Sequence, residues 1–309
     1  MSKYSLKRSI VISADLEKIK KTLIDFRAWR VWSPWLIMDR DSTINFSQQQ
    51  GEVGSSYDWK GELVGTGSME LMEIDKKHIA IKTTLRKPFK SVVNSLFSFK
   101  ELEDGVEVTW SSQGTLPFFM FFMKGKIQTF MGMDYDRGLN MLKEYIESGR
   151  VTSSIDISGV VTIEEQKYIG IENSCKIEDI GEVMKRDFET LDAFIKENKI
   201  FGDRIPFTIY NTFDMVKGKS KFISCMPIEQ DLKVERSWKK GTLKSMEVIS
   251  INHIGSYEHL GNGWTTAFMY AKNKKLKTKR KPVGYEFYFT DPKRTEKSKL
   301  LTEICLALG

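Results

Sequence analysis

Three histidines and three cysteines are all that 309 residues offer to metal or thiol chemistry. His78, His253 and His259 fall at no metal-ligand spacing such as H-E-x-x-H. Cys175, Cys225 and Cys305 are too dispersed for a disulfide framework or a zinc site, and a reducing cytoplasm is the compartment this composition implies. There is no G-x-S-x-G elbow and no phosphate-binding glycine loop, so neither metal nor cofactor is expected. The longest apolar run, Leu116 to Met123, falls far short of the roughly 18 residues read as a membrane span, so no membrane partner is expected. "YSLKRSIVIS" near the start carries no signal-peptide core. The net charge of +7 is spread over both halves, which argues against a dedicated basic domain for specific nucleic-acid binding.

What is present divides in two. The first half reads as a strand, a helix after Asp15, and then a series of short segments with period-two alternation. These are "STINF", "SSYDW", "GSMELMEI", "HIAIKTTL", "VVNSLFSF" and "VEVTWSS", the last two joined by a turn at Asp104-Gly105. After Pro117 a helix runs to about Glu147. Its apolar stripe comprises Ile127, Phe130, Met131, Met141, Leu142 and Tyr145, with Asp134 and Gly138 in the middle. An acid there either has a neighbouring donor or lines a ligand cavity. Trp29, Trp32 and Trp35 crowd together, and Trp59 and Trp110 lie in strands; they are either core or cavity wall.

Residues 147–159, "ESGRVTSSIDISG", are small and polar and read as a linker. Beyond it one β-α-β-β unit occurs twice. "VVTIEEQKYIGIE" reads as a strand, Ile180 to Ile195 keep helical spacing, and "PFTIYNTF" and "KFISCMPI" follow as strands. The order returns with "MEVISINHIG", a helix from about Ser256 to Lys275, "VGYEFYF" and "LLTEICLAL". Gly261 and Gly263 inside that helix point to a distorted first turn. Two copies place related strands about a pseudo-twofold axis with a groove between them.

Glu286 stands in an aromatic strand. Alternation puts Val283, Tyr285, Phe287 and Phe289 on one face, expected to meet the helices. Gly284, Glu286 and Tyr288 take the other. A carboxylate there either is solvated or anchors a cation among aromatic rings. His253, Glu286 and Tyr257 form an acid/base group if the fold brings them together. The basic run "KNKKLKTKRK" at 272–281 has no aromatic residue for base stacking and reads as a solvated face.

Residues 1–149 resemble the SRPBCC superfamily, also called START-like or polyketide-cyclase-like. The resemblance rests on "SADLEKIKKTLIDFRAWRVWSPW", "GSSYDWKGELVGTGSMELMEI" and "GMDYDRGLNMLKEY". It implies a helix-grip, a curved antiparallel sheet around a long C-terminal helix, with a hydrophobic ligand between them. Asp134, Trp32, Trp35, Trp59, Trp110 and Phe130 are the expected cavity residues. Residues 157–309 resemble the GyrI-like effector-binding domain found at the C-terminus of AraC-type and MerR-type regulators. The motifs are "HIGSY", Trp264 and "GYEFYFTDP". The resemblance implies that Glu286 lies in an aromatic pocket and meets cationic lipophilic effectors. Tyr288, Tyr257, Trp264, Tyr210 and His253 are the expected partners around it. No helix-turn-helix segment accompanies it here.

The expectation is therefore an α+β protein of two domains that binds a hydrophobic or cationic small molecule without binding DNA. Two alternatives stay open. One is a hydrolase of strained electrophiles that uses Glu286; the other is a sensory subunit acting on a protein partner.

Overall fold

The computed structural model describes residues 2–88, 90–116, 124–200, 202, 204–229 and 232–309. The apolar run Leu116–Met123 lies almost wholly outside them, and the side chain of Ile127 is likewise not described. The chain forms two compact units, Met1–Thr152 and Ser153–Gly309. Among the described residues no helix is long and apolar enough to cross a membrane.

Unit 1 is a seven-stranded antiparallel sheet. Its strands are β1 (Ser2–Ile12), β2 (Thr43–Phe46), β3 (Ser56–Lys60), β4 (Thr66–Ile74), β5 (His78–Lys87), β6 (Ser91–Leu102) and β7 (Gly105–Leu116). The spatial order is β1-β7-β6-β5-β4-β3-β2. Two short helices, α1 (Leu16–Ile24) and α2 (Trp29–Trp32), follow β1, and the long helix α3 (Lys124–Ser148) closes the unit. Every alternating segment named from the sequence is a strand. The tight turn before Gly105 works because this residue has φ 145°, in a region closed to other side chains.

The inner face of the sheet is packed with rings. Trp110 stacks on Tyr135 of α3 at 3.9 Å between centroids and 11° between planes. Trp32 meets Trp110 edge-on at 6.1 Å, and Trp29 meets Trp32 at 4.3 Å. Trp29, Trp32, Trp110 and Tyr135 are each at most 1% exposed.

The buried face of α3 is centred one residue away from the expected stripe. It runs through Tyr135, Leu139, Leu142 and Ile146, while Phe130 is 56% exposed. The reason lies in Asp134, which sits at the edge of the face rather than in its middle. Its carboxylate accepts from Arg137 Nη2 at 2.6 Å and from Trp35 Nε1 at 3.2 Å. Gly138 is buried against the aromatic core. A Cβ there would sit 3.0 Å from both Pro34 Cδ and Trp110 Cζ3, so the glycine admits Pro34 and the indole.

Unit 2 is an eight-stranded antiparallel sheet with two helices. The first copy comprises β8 (Ser153–Ile163), β9 (Gln166–Lys176), α4 (Ile180–Glu197), β10 (Phe207–Asp214) and β11 (Lys219–Pro227). The second comprises β12 (Lys239–Leu243), β13 (Met246–Gly255), α5 (Leu260–Asn273), β14 (Gly284–Tyr288) and β15 (Leu301–Ala307). Two sequence readings change. "VVTIEEQKYIGIE" is not one strand but the end of β8, a turn at Glu164-Glu165, and β9. The polar stretch at 147–159 is linker only over 149–152, because β8 begins at Ser153.

The sheet order is β12-β9-β11-β10-β14-β15-β13-β8. Each copy lends its first strand to the other: β8 pairs with β13, and β12 pairs with β9. The copies meet at β10 and β14, where Thr208 lies opposite Glu286. The pseudo-twofold axis passes through that pair.

Candidate functional site

Glu286 is 2% exposed, so it is not a solvated surface acid. Its face of the sheet is the one that carries the helices. Tyr285 and Phe287 point the other way, into a cluster built from strands alone with Phe207, Ile209, Cys225 and Cys305. This reverses the expected assignment of faces. Both faces of a sheet buried on both sides read as apolar, so alternation separates them without saying which one meets the helices.

Three neutral donors converge on the carboxylate. Trp264 Nε1 of α5 donates to Oε1 at 2.6 Å. The hydroxyls of Tyr210 and Tyr288 donate to Oε2 at 2.9 and 2.7 Å. No cation pairs with it among the described residues. Burial raises its carboxyl above the usual range, and the bonds from Trp264, Tyr288 and Tyr210 pull it back. Burial and the nearby carboxylate push both tyrosine hydroxyls well up. Tyr257 packs edge-on against Tyr288 at 5.9 Å, and its hydroxyl is pushed up to about 12 by burial and then by Glu286. Gly284 is required here: a Cβ would lie 3.0 Å from the Trp264 ring and 2.3 Å from the Cys305 carbonyl oxygen.

The two copies contribute matching positions. "PFTIY" in β10 answers "GYEFY" in β14, so Thr208 corresponds to Glu286 and Tyr210 to Tyr288. On the helices Met184 corresponds to Trp264 and Phe188 to Phe268. Met184 Sδ lies 3.7 Å from the Tyr288 hydroxyl and 3.9 Å from Thr208 Oγ1. Phe188 meets Tyr288 edge-on at 5.5 Å. Sequence reasoning missed Thr208, Met184 and Phe188, although aligning those two short segments marks them. The resulting site is aromatic on both sides of the axis and acidic on only one.

His253 does not join Glu286. It lies on β13, with β15 between it and β14, so roughly 10 Å of sheet separates the two backbones. Its Nε2 bonds Ser153 Oγ at 3.0 Å, and Asn262 Nδ2 donates to the same Ser153 oxygen at 3.0 Å. Burial, then the His259 charge, lowers its pKa to about 4, so the ring is neutral at pH 7. The acid/base group of His253, Glu286 and Tyr257 is therefore not assembled. Among the described residues no group of three or more His, Cys, Asp or Glu is placed to hold a metal ion.

A second buried acid, Asp187 on α4, accepts from Asn173 Nδ2 at 2.8 Å and from Ser224 Oγ at 2.7 Å. These bonds tie α4 to β9 and β11. In unit 1 the expected cavity residues are mostly occupied with one another. Trp32 and Trp110 are core, Asp134 is paired, and Phe130 is exposed. Trp59 covers Gly67 and donates to the Val64 carbonyl oxygen at 3.2 Å.

Residues 3–147 match the family model for polyketide cyclase / dehydrase and lipid transport, and residues 159–308 match that of the GyrI-like small molecule binding domain. Solved structures similar in part include the EcmrR C-terminal domain, at 14% identity over 51% of this chain and 98% of that one, with a TM-score of 0.44. Aha1 from Colwellia psychrerythraea aligns at 17% identity over 47% of this chain and 98% of its own, with a TM-score of 0.35. The di-domain ARO/CYC StfQ from the steffimycin biosynthetic pathway aligns at 9% identity over 48% of this chain and 51% of its own, with a TM-score of 0.40. A search of the curated proteins finds no match. The chain thus joins an SRPBCC domain of the polyketide cyclase and lipid transport type to a GyrI-like small-molecule-binding domain.

Proposed function

We propose that the protein is a cytoplasmic receptor for hydrophobic cations, with Glu286 as the anchor. The observation that carries this reading is a buried carboxylate that, among the described residues, is held only by neutral donors and lies among aromatic rings. Burying a charge without a counter-charge is costly, and a ligand cation supplies the missing partner. Rings at Tyr210, Tyr257, Trp264 and Tyr288 add cation–π attraction.

The hydrogen-bond count narrows the cation. A carboxylate offers about four acceptor positions, and three are taken. A primary ammonium or a guanidinium would bring more N–H groups than the site can satisfy. Quaternary ammonium and other cations without N–H donors fit better. The test is calorimetric titration with benzyltrimethylammonium and its neutral carbon isostere, neopentylbenzene. The cation should bind wild type more tightly, and Glu286→Gln should abolish the preference.

A second reading is hydrolysis of a strained electrophile. The raised Glu286 carboxyl supports it, because such a group works as a general base nearer neutral pH. Under that reading Glu286→Gln would bind the electrophile and fail to turn it over.

A further inference from the structure

The two copies differ sharply at one further matched position. In the first, Phe222 stands in the ladder between Asn173 and Tyr210. In the second, Thr302 stands between His253 and Tyr288. The Phe222 ring is fully buried and packs against Tyr210, filling the floor beside that tyrosine. Thr302 is far smaller, yet it is also 0% exposed. Its hydroxyl has no hydrogen-bond partner among the described residues, and neither has Nδ1 of His253 directly opposite. Both side chains lie on the helix-bearing face, the face of Glu286.

The Tyr288 hydroxyl is engaged elsewhere, with Thr208 Oγ1 at 3.1 Å, Met184 Sδ and Glu286. Buried polar groups in native proteins almost always find partners, and two orphans facing each other in one ladder call for a common one. The neutral His253 ring carries one proton, on one of its two nitrogens. Ser153 Oγ accepts from Asn262 and has both its proton and a second lone pair for His253 Nε2. Nδ1 takes the role that Nε2 leaves it, and the Thr302 hydroxyl donates or accepts, so an oxygen that bears a proton serves both.

We infer that Thr302 and His253 form a polar subsite of the Glu286 site, which takes a neutral hydrogen-bonding oxygen carried on the same ligand as the cation. The inference rests on the cation reading above and specifies the ligand further. Thr302 lies diagonally across the ladder from Glu286, and such positions are about 7–8 Å apart. The ligand class is therefore a quaternary amine with a hydroxyl on a short chain. The first copy closes the same place with Phe222, so the ligand lies in one orientation across the pseudo-twofold axis.

The test uses the full chain and two probes of equal shape, hydroxybutyl-trimethylammonium and pentyl-trimethylammonium, titrated by calorimetry. Wild type should favour the hydroxyl probe by roughly three- to tenfold, the worth of one hydrogen bond. Thr302→Val keeps the shape and should weaken that preference while leaving the affinity for the pentyl probe within about twofold. Thr302→Ser should keep the preference. A wild type that binds both probes equally, or a Thr302→Val that discriminates as well as wild type, overturns the subsite alone. A wild type that binds neither probe, or binds them undiminished in Glu286→Gln, overturns the cation site and the subsite with it.

Discussion

Lowering the pH from 7 to 4 should strip stability from unit 2 through His253. The ring is 0% exposed, and burial followed by the His259 charge lowers its pKa to about 4, against 6.5 for the free side chain. The unfolded chain takes up the imidazole proton near pH 6.5, and the folded protein resists until about pH 4. Between those values the unfolded state binds the extra proton, so stability falls as the pH falls and levels off below pH 4. At 1.36 kcal/mol per pH unit the full loss is about 3 kcal/mol. Glu286 and Asp187 act in the opposite sense, because burial raises their carboxyls and the fold gains as they protonate. His253→Gln isolates the histidine, since both carboxylates remain in the variant. Urea denaturation of the full chain across that range should show the wild-type transition losing about 3 kcal/mol relative to the variant. A stability difference that stays constant from pH 7 to pH 4 would refute the reasoning.

Three further outcomes follow from particular contacts. Gly138→Ala adds a methyl 3.0 Å from Pro34 and Trp110, and overpacking of about 1–3 kcal/mol should outweigh the helix-propensity gain of about 1 kcal/mol. The variant's melting temperature should fall; a rise would mean that the aromatic core yields freely. Limited proteolysis should cut within residues 149–152 and leave two folded fragments by circular dichroism, whereas two unfolded fragments would show that neither unit has an independent core. Duplex DNA should bind weakly through the lysines at 272–281 and be lost steeply with added salt, and a sequence-specific complex stable at about 0.15 M salt would contradict this.

Most of the fold is legible in the sequence because alternation and helical spacing report it directly. All six alternating segments between Ser42 and Ser112 are strands, and the long closing helix follows them. What was not legible depends on partners distant in sequence. Periodicity sets the stripe of α3 one residue off because Asp134 is balanced by Trp35 and Arg137, and no period reveals such a bond. Alternation runs β8 and β9 together because Glu164-Glu165 lacks the usual glycine or asparagine turn signal. For the site, alternation along GYEFY puts Glu286 and Tyr288 on one face, the resemblance to the GyrI-like domain points to Tyr257 and Trp264, and Tyr210 is an expected further wall of the groove. His253, expected among the ligand-binding residues, bonds Ser153 instead. The role of Thr208 and the contrast between Phe222 and Thr302 emerge only when the ladder aligns the two copies.

The account turns on the charge of Glu286. Titration of benzyltrimethylammonium into wild type and Glu286→Gln, side by side with neopentylbenzene, measures it directly. Glutamine keeps the shape of the site and removes the negative charge. The cation should lose about 1–3 kcal/mol of binding free energy, the scale of an interaction with a charged group, while the neutral isostere loses much less. Equal losses for both probes, or no loss for the cation, would contradict the claim that this carboxylate is a cation anchor.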